Sequence, residues 1–286
     1  MIVMPSVWSW NTTTPGETSS AYASGMTTTR TETDVAHVAA AIGDPSRAKA
    51  LLALAGGTAL PASALAAEAG VSNSTMSSHL ARLREAKLVT VELDGRHRYY
   101  RLATTDVSRA LEQLARIARP LPPRSLNADT RARALLRARL CYDHLAGRLG
   151  VAVMDALQAR GILLAETTEP TGLSELTGTA ESRERPPKGD AAINTVYLLT
   201  SQGRQELGGF GVDLDRLPRR RASVRYCIDW SEQRPHLAGA LGTALAARMF
   251  ALNWLRRGKY RRVLHLTDIG REGLESTFGV PVAQSL

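Results

Sequence analysis

The stretch Ser72–Leu83 (SNSTMSSHLARL), with the segments either side of it, admits few structures. Val71, Met76, Leu80 and Leu83 recur at near-helical spacing, which predicts a helix with one inward apolar face. The opposite face carries Asn73, Ser74, Ser77, Ser78 and Arg82, with His79 at its edge, and Ser72 is placed to cap the first turn. Upstream, Pro61–Gly70 (PASALAAEAG) reads as a short helix closed by a glycine turn, with small residues where two helices must approach closely. Downstream, residues 88–93 (LVTVEL) and 98–102 (RYYRL) read as strands joined through Asp94-Gly95, which leaves Arg96, His97 and Arg98 at a hairpin tip. A serine-rich exposed helix is by itself only a solvated face. Behind a helix and a tight turn, and ahead of a basic hairpin, it is the sparsely decorated rod that fits a major groove, and the whole string spells a winged helix-turn-helix.

The residues that carry this pattern, Ile42-Gly-Asp-Pro-Ser-Arg47, GVSNSTMSSHLARLREAKLV from Gly70 to Val89 and DGRHRYYRL from Asp94 to Leu102, resemble the ArsR/SmtB family of bacterial repressors over residues 33–119. The resemblance implies a homodimeric transcriptional regulator that leaves its double-stranded operator when a sensed species binds. On this reading Asn73, Ser74, Ser77 and Ser78 read base edges. Thr75 and Arg82 position the helix, Arg96 and Arg98 hold backbone phosphate, and Ser72 and His79 complete the DNA-binding set. Lys87 departs from the family pattern, because a glycine often closes the helix there and a left-handed lysine is strained.

Composition agrees with a polyanionic partner: the 286 residues carry a net charge of +9, most of the cations being arginine. An alanine- and arginine-rich chain is also what a GC-rich genome produces. Two cysteines argue against a disulfide scaffold and fit a reducing cytoplasm. No apolar run approaches the roughly 20 residues of a membrane span. The start, MIVMPSVWSW, lacks the basic region of a signal peptide. Residues 1–32 are rich in Thr, Ser, Gly and Pro and are expected to be disordered; Met26 is an alternative start that would remove Trp8 and Trp10.

Order is expected from Asp34. Val35, Val38, Ala39 and Ile42 form one helical stripe; Asp44 caps a second helix, with Pro45 in its first turn and Ala48, Leu51, Leu52 and Ala55 facing the core. After the wing, Val107, Leu111, Leu114 and Ile117 form another stripe. In the resembled family the first and last helices pair across a dimer axis; otherwise both stripes pack within one subunit. Pro120–Pro123 stops the last helix, so residues 120–126 are expected to be a linker and 127–286 a second, sensory domain.

That second domain is internally duplicated, with repeats at about 137–212 and 223–280. CYDHLAGRLG (141–150) returns as Cys227-Ile-Asp229 and, after an insertion, HLAGALG (236–242). Residues 154–163 correspond to 244–255, 199–207 to 266–274, and each copy ends in Phe-Gly-Val. Each repeat reads as cysteine segment, helix, two strands and a helix capped by Thr200 or Thr267, which is the back half of another winged helix. Residues 166–192 form an insertion in the first hairpin. The fold class is therefore mainly α with small β-hairpin wings.

What the repeats sense is less constrained. The usual family sites for metals are missing, since helix 61–69 has no cysteine and helix 105–119 no histidine. Cys141, Asp143, His144, Cys227, Asp229 and His236 offer thiolate, carboxylate and imidazole ligands that pseudosymmetry could bring together around a thiophilic metal ion. The two thiols could instead form a reversible disulfide, or all six residues could be caps and core. A small effector between the repeats is a further reading, with Tyr142, Trp230 and Trp254 as lining; the basic run of Arg216, Arg219, Arg220, Arg221 and Arg225 is a solvated linker or a contact to flanking phosphate. The alternative function is a cysteine-dependent enzyme or redox switch tethered to DNA, with Cys141 or Cys227 as nucleophile and His144 or His236 as base. Against an enzyme, no phosphate loop, nucleophile elbow or metalloprotease helix appears in the sequence.

Overall fold

A computed structural model describes residues 33–123, 125–167, 195–214 and 223–281. The expected tail 1–32 with Trp8, Trp10 and Met26, insertion residues 168–192, and Arg216 and Arg219–Arg221 of the basic run lie outside the described residues. Glu166 and Thr167, expected in the insertion, extend a strand instead.

The winged part begins with α1 (Val35–Ile42) and α2 (Pro45–Leu54). Asp44 caps α2 as its position predicts, Oδ1 accepting from the amides of Ser46 and Arg47, both at 2.9 Å. The buried guanidinium of Arg47 turns back to donate to the carbonyls of Ala40 and Ala41, the open acceptors at the end of α1. The inward face of α2 is Ala50, Leu51, Ala53 and Leu54, whereas Leu52, expected inside, is exposed. A short strand β1 (Leu60–Pro61) precedes α3 (Ala62–Ala69), and Gly70 (φ +74°) makes the left-handed turn into α4 (Asn73–Glu85). Met76, Leu80 and Leu83 of α4 are buried against α2 and α3, so the predicted stripe is the inner face. The wing is β2 (Val89–Asp94) and β3 (His97–Leu102), antiparallel with Asp94 opposite His97, and β1 adds a third strand through Leu60 and Tyr100. The hairpin loop is thus Gly95-Arg96, with glycine (φ +58°) in its first position, one residue later than the Asp-Gly turn expected. α5 (Thr105–Ile117), capped by Thr104, closes the unit.

Beyond α6 (Leu126–Arg137), a helix with no sequence precedent in the family stretch, the duplication is explicit. The first copy runs β4 (Arg139–Cys141), β5 (His144–Ala146), α7 (Gly147–Ala159), β6 (Leu163–Thr167), β7 (Thr195–Leu199) and α8 (Ser201–Gly209). A short β8 (Ser223–Val224) joins the first copy's hairpin by pairing with β7. The second copy runs β9 (Tyr226–Ile228), β10 (Pro235–Leu237), α9 (Gly239–Ala251), β11 (Leu255–Arg257), β12 (Leu264–Leu266) and α10 (Asp268–Phe278). Thr200 and Thr267 cap α8 and α10 as predicted, accepting from Gly203 and Gly270. The cysteine segments are the hairpins β4–β5 and β9–β10, and the helices cross over: α7 packs on β10 and α9 on β5. Each of these helices also sits hard against its own hairpin: a Cβ on Gly150 would sit 2.6 Å from the Leu145 carbonyl oxygen, and one on Gly242 2.7 Å from that of Leu237. A single hydrophobic core, including Leu149, Met154, Leu157, Leu241, Leu245 and Met249, spans both copies, so neither buries its own apolar face alone.

The same local device recurs three times. After α4, α7 and α9 a left-handed residue, Lys87 (φ +56°), Gly161 (φ +71°) or Asn253 (φ +56°), stops the helix and sends the chain into a hairpin. The next amide reaches back in each case: Leu88 to Leu83, Ile162 to Leu157 and Trp254 to Met249, each at 2.9 Å.

From Ala36 onward the described residues form one compact unit. The winged part is fastened to the repeats by buried charge. Arg139, fully buried, donates to Asp229 Oδ1 at 2.9 Å and lies 3.8 Å from Glu112 of α5, while Arg262 donates to the other Glu112 oxygen. Two acids and two guanidiniums drawn from α5, copy one and copy two balance one another out of water. Tyr142 NH also donates to Ala55 O at 2.6 Å, and Glu68 of α3 accepts from Arg131 and Arg261.

Two stability outcomes follow from these arrangements. Lys87→Gly relieves a left-handed lysine at an exposed position and should stabilise by about 1 kcal/mol, raising the melting temperature by about 2–4 °C in a calorimetric scan; a lower melting temperature contradicts the strain. Glu112→Ala leaves Arg139 and Arg262 buried without their shared carboxylate and should cost about 3–5 kcal/mol in urea unfolding, and a loss under about 1 kcal/mol would show the charges are solvated.

Candidate functional site

The outward face of α4 is built as the sequence predicts. Asn73, Ser74, Thr75, Ser77, Ser78 and Arg82 are exposed, and so is Ser72 at the cap. Ser72 Oγ accepts from the Thr75 amide at 3.1 Å and also meets Ser74 Oγ and Thr75 Oγ1 at 2.9 and 2.8 Å. Ser77 Oγ donates to Asn73 O and Ser78 Oγ to Ser74 O, so these hydroxyls lie folded against the helix. Their lone pairs stay open to a donor, and a rotation about χ1 frees the proton. His79 is turned away from this face: its Nε2 lies 3.8 Å from Asp44 Oδ1 and only 15% of its side chain is exposed, so it braces α4 on the cap of α2. Arg96, His97 and Arg98 are exposed on the wing. Arg84, exposed in the last turn of α4, adds a cation that apolar periodicity gives no reason to single out. Arg101 is held differently, paired with Glu92 across the wing at 2.8 Å.

The second candidate lies between the repeats. Cys141 faces His144 across β4–β5 and Cys227 faces His236 across β9–β10. The two pairs meet: the imidazole rings stack at 5.2 Å between centroids, and one ligand atom from each of the four residues lies within 4.8 Å of the other three. All four are buried, Cys141 to 1% exposure and Cys227 to 6%. Crossing of α7 and α9 brings them together, since a Cβ on Gly242 would lie 3.2 Å from His144 Cβ and one on Gly150 3.6 Å from His236 Cβ.

Asp143 and Asp229, expected beside the cysteines as ligands, stand one layer back. Asp143 Oδ1 bonds His144 Nδ1 at 3.0 Å. Asp229 Oδ2 takes the Gly147 amide at 2.6 Å, with His236 Nδ1 3.7 Å away, and Oδ1 is filled by Arg139, Ser231 and the Glu232 amide. Its oxygens are committed, which removes it from the ligand set. It caps a helix, as the structural reading allowed, but that helix is α7 of the other copy. Both nitrogens of His236 are buried with no hydrogen-bond partner among the described residues.

Charge at the centre is unevenly held. Its hydrogen bond to Cys227, then burial, pushes the Cys141 thiol well up, while the same bond and Arg109 bring Cys227 down against burial. Burial opposes a charged His144, but the bonds to Asp143 and Cys141 outweigh it and hold its pKa at about 9. Burial and the neighbouring His144 drive His236 down. For Asp229 burial is overcome by Arg139 and His236, which hold the carboxyl well below its usual range.

A cavity of about 700 Å³ reaches this centre from one side, between α5 (Ser108, Arg109) and α9 (Thr243, Arg248), with Cys141 and Cys227 in its wall. Tyr142 lines it as expected. Trp230 and Trp254 do not: Trp230 stacks on the Arg139 guanidinium at 4.5 Å and Trp254 packs on Phe210 in the core.

Known proteins match the same two layers of the chain. A helix-turn-helix domain family matches residues 42–92. The HTH-type transcriptional regulator YdfF of Bacillus subtilis is 35% identical over 250 residues, 87% of this chain and 99% of that protein, so the likeness runs through the repeats as well. The HTH-type transcriptional regulator CmtR of Mycobacterium tuberculosis is 37% identical over 86 residues, 30% of this chain and 72% of CmtR. Among solved structures, that of the cadmium metal-sensor CmtR from Mycobacterium tuberculosis aligns at 34% identity over 32% of this chain and 94% of that chain, with a TM-score of 0.27. With the exposed α4, the basic wing and a relative matched from end to end, the chain belongs to the HTH-type transcriptional regulators.

Proposed function

We propose that this DNA-binding regulator is a homodimeric repressor whose hold on a double-stranded operator is released by a signal received in its repeats. One observation carries the DNA reading: from Asn73 to Arg82 the exposed face of α4 holds only short side chains and Arg82, and the wing beside it ends in Arg96 and Arg98. In this reading Asn73, Ser74, Ser77 and Ser78 contact base edges and Thr75 and Arg82 fix the register. Arg96 and Arg98 hold phosphate.

Dimerisation is supported by what the subunit leaves uncovered. No side chain of α1 is buried, and on α5 Leu114 and Ile117 are 43% and 83% exposed. A second copy is the occupant that suits them, because two α4 helices related by a twofold axis read two half-sites. The same α5 carries Glu112 on its other side, into the buried charges that hold both repeats. A rearrangement in the repeats therefore acts on the helix that would set the spacing of the two α4 helices. The signal is a thiophilic metal ion taken at the cysteine–histidine centre, away from the usual family sites. Among the described residues no helix is long and apolar enough to cross a membrane, which suits a cytoplasmic DNA-bound protein. The enzyme reading has less behind it, since the relative matched from end to end is named a transcriptional regulator.

Arg96→Ala should weaken binding to all duplexes alike and lower the slope of log affinity against log salt by about 1, whereas Asn73→Ala should change the preferred sequence. Fluorescence anisotropy over a salt series and site selection read the two effects; an unchanged selection profile for Asn73→Ala removes the base-reading assignment. Ile117→Glu should convert dimer to monomer in sedimentation velocity and weaken operator binding by at least tenfold, and a dimer that persists contradicts the assigned interface.

A further inference from the structure

We propose that Cys141, His144, Cys227 and His236 form a closed four-coordinate site for a divalent ion of the zinc class, shared equally by the two repeats. The proposal deepens the regulatory reading above and rests on it only for the consequence at DNA.

Four bonds of the usual zinc lengths, about 2.3 Å to sulfur and 2.0–2.1 Å to nitrogen, set tetrahedral ligand atoms about 3.3–3.8 Å apart. The four ligand atoms here already lie within 4.8 Å of one another, so the widest pair closes by about 1 Å. The ligand types agree with the ion, as two thiolates and two imidazoles are the set that selects a borderline-soft metal over calcium or magnesium. Nothing further enters the shell, because Asp229 is spent on Arg139, Gly147 and Ser231.

The independent observation is the state of the imidazoles. Both nitrogens of His236 are buried without a partner among the described residues, an arrangement that costs free energy unless something satisfies them. Behind each ring stands a carboxylate: Asp143 at 3.0 Å from Nδ1 of His144, and Asp229 at 3.7 Å from Nδ1 of His236. That is the outer layer that orients a metal-bound histidine and fixes which nitrogen faces the ion. A Cys141–Cys227 disulfide would leave these nitrogens as they are and so accounts for less of the geometry. Loading a divalent ion sends both thiol protons to solvent, with any proton on the imidazoles. What remains, two thiolates, two neutral imidazoles and the ion, has no net charge to bury. The cavity between α5 and α9 reaches Cys141, His144 and Cys227 and provides the route.

The ion would clamp β4–β5 to β9–β10 at the point where α7 and α9 cross, so its arrival tightens the two copies against each other. Such a site has no open position and does no hydrolysis.

The test uses the full chain, reduced, stripped with chelator and purified without a polyhistidine tag. Titrated with zinc alone, it should take one equivalent per chain, raise its melting temperature by several degrees and lose thiol reactivity. Cobalt(II) in place of zinc should give the visible bands of a tetrahedral ion with thiolate charge transfer. This readout needs no variant to fold. Cys227→Ser and His236→Gln, checked by circular dichroism, should lose more affinity than Asp143→Asn, which should lose about 10- to 100-fold. No stoichiometric zinc, an octahedral cobalt spectrum, or zinc affinity indifferent to Cys227→Ser overturns the site. Operator binding, followed separately with and without zinc, tests the regulatory reading: zinc bound at the four residues with DNA affinity unchanged leaves the site standing and removes its role as the signal.

Discussion

Four buried charges hold this molecule in one piece. Glu112 comes from the last helix of the winged part, Arg139 from the first repeat, and Asp229 and Arg262 from the second. Each would be ruinous alone in that environment, and each is tolerable because the others are present. The arrangement makes the three parts conditional on one another. Asp229 extends the dependence further by capping α7 through the Gly147 amide while facing His236. The helix that positions the winged part, the crossing of the repeats and the cysteine–histidine centre thus share a single carboxylate-to-guanidinium chain.

Around that chain one local device is used three times. A helix stops on a left-handed residue, a hairpin follows, and a second helix begins on a threonine cap, Thr104, Thr200 or Thr267. In the winged part the first helix faces outward with short polar groups. In the repeats the corresponding helices, α7 and α9, carry apolar residues and glycines on the equivalent face and bury it against each other's hairpin. The backbone plan is common to all three, and side-chain chemistry decides whether the helix meets another hairpin or is left free for a nucleic acid.

Much of this was legible in the sequence because it is local. The cap at Ser72, the stripe Met76–Leu80–Leu83, the strain at Lys87 and the threonine caps are each dictated by residues within one or two turns. The duplication was legible because both copies keep Cys, His, Leu-Ala-Gly and Phe-Gly-Val in order. What was not legible depends on partners far away in the chain. Leu52 is exposed and Ala50 buried because α3 and α4 decide which side of α2 is covered. His79 is claimed by Asp44, 35 residues upstream, and Trp230 by Arg139. Asp143 and Asp229 carry the same motif position, yet one is half-exposed on its own histidine and the other is consumed by Arg139, a contact that no spacing rule supplies. Outside the described residues, the tail and most of the insertion remain expectations from composition alone.

The claim on which the account turns is that two copies present α4 to one duplex. Selection of bound sites from a pool of random double-stranded DNA with the full chain tests it most directly. The account predicts an enriched inverted repeat whose half-site centres lie about 10–10.5 base pairs apart, or a multiple of that spacing. A pool that shows no enrichment over its starting composition, or a single half-site without its inverted partner, contradicts it.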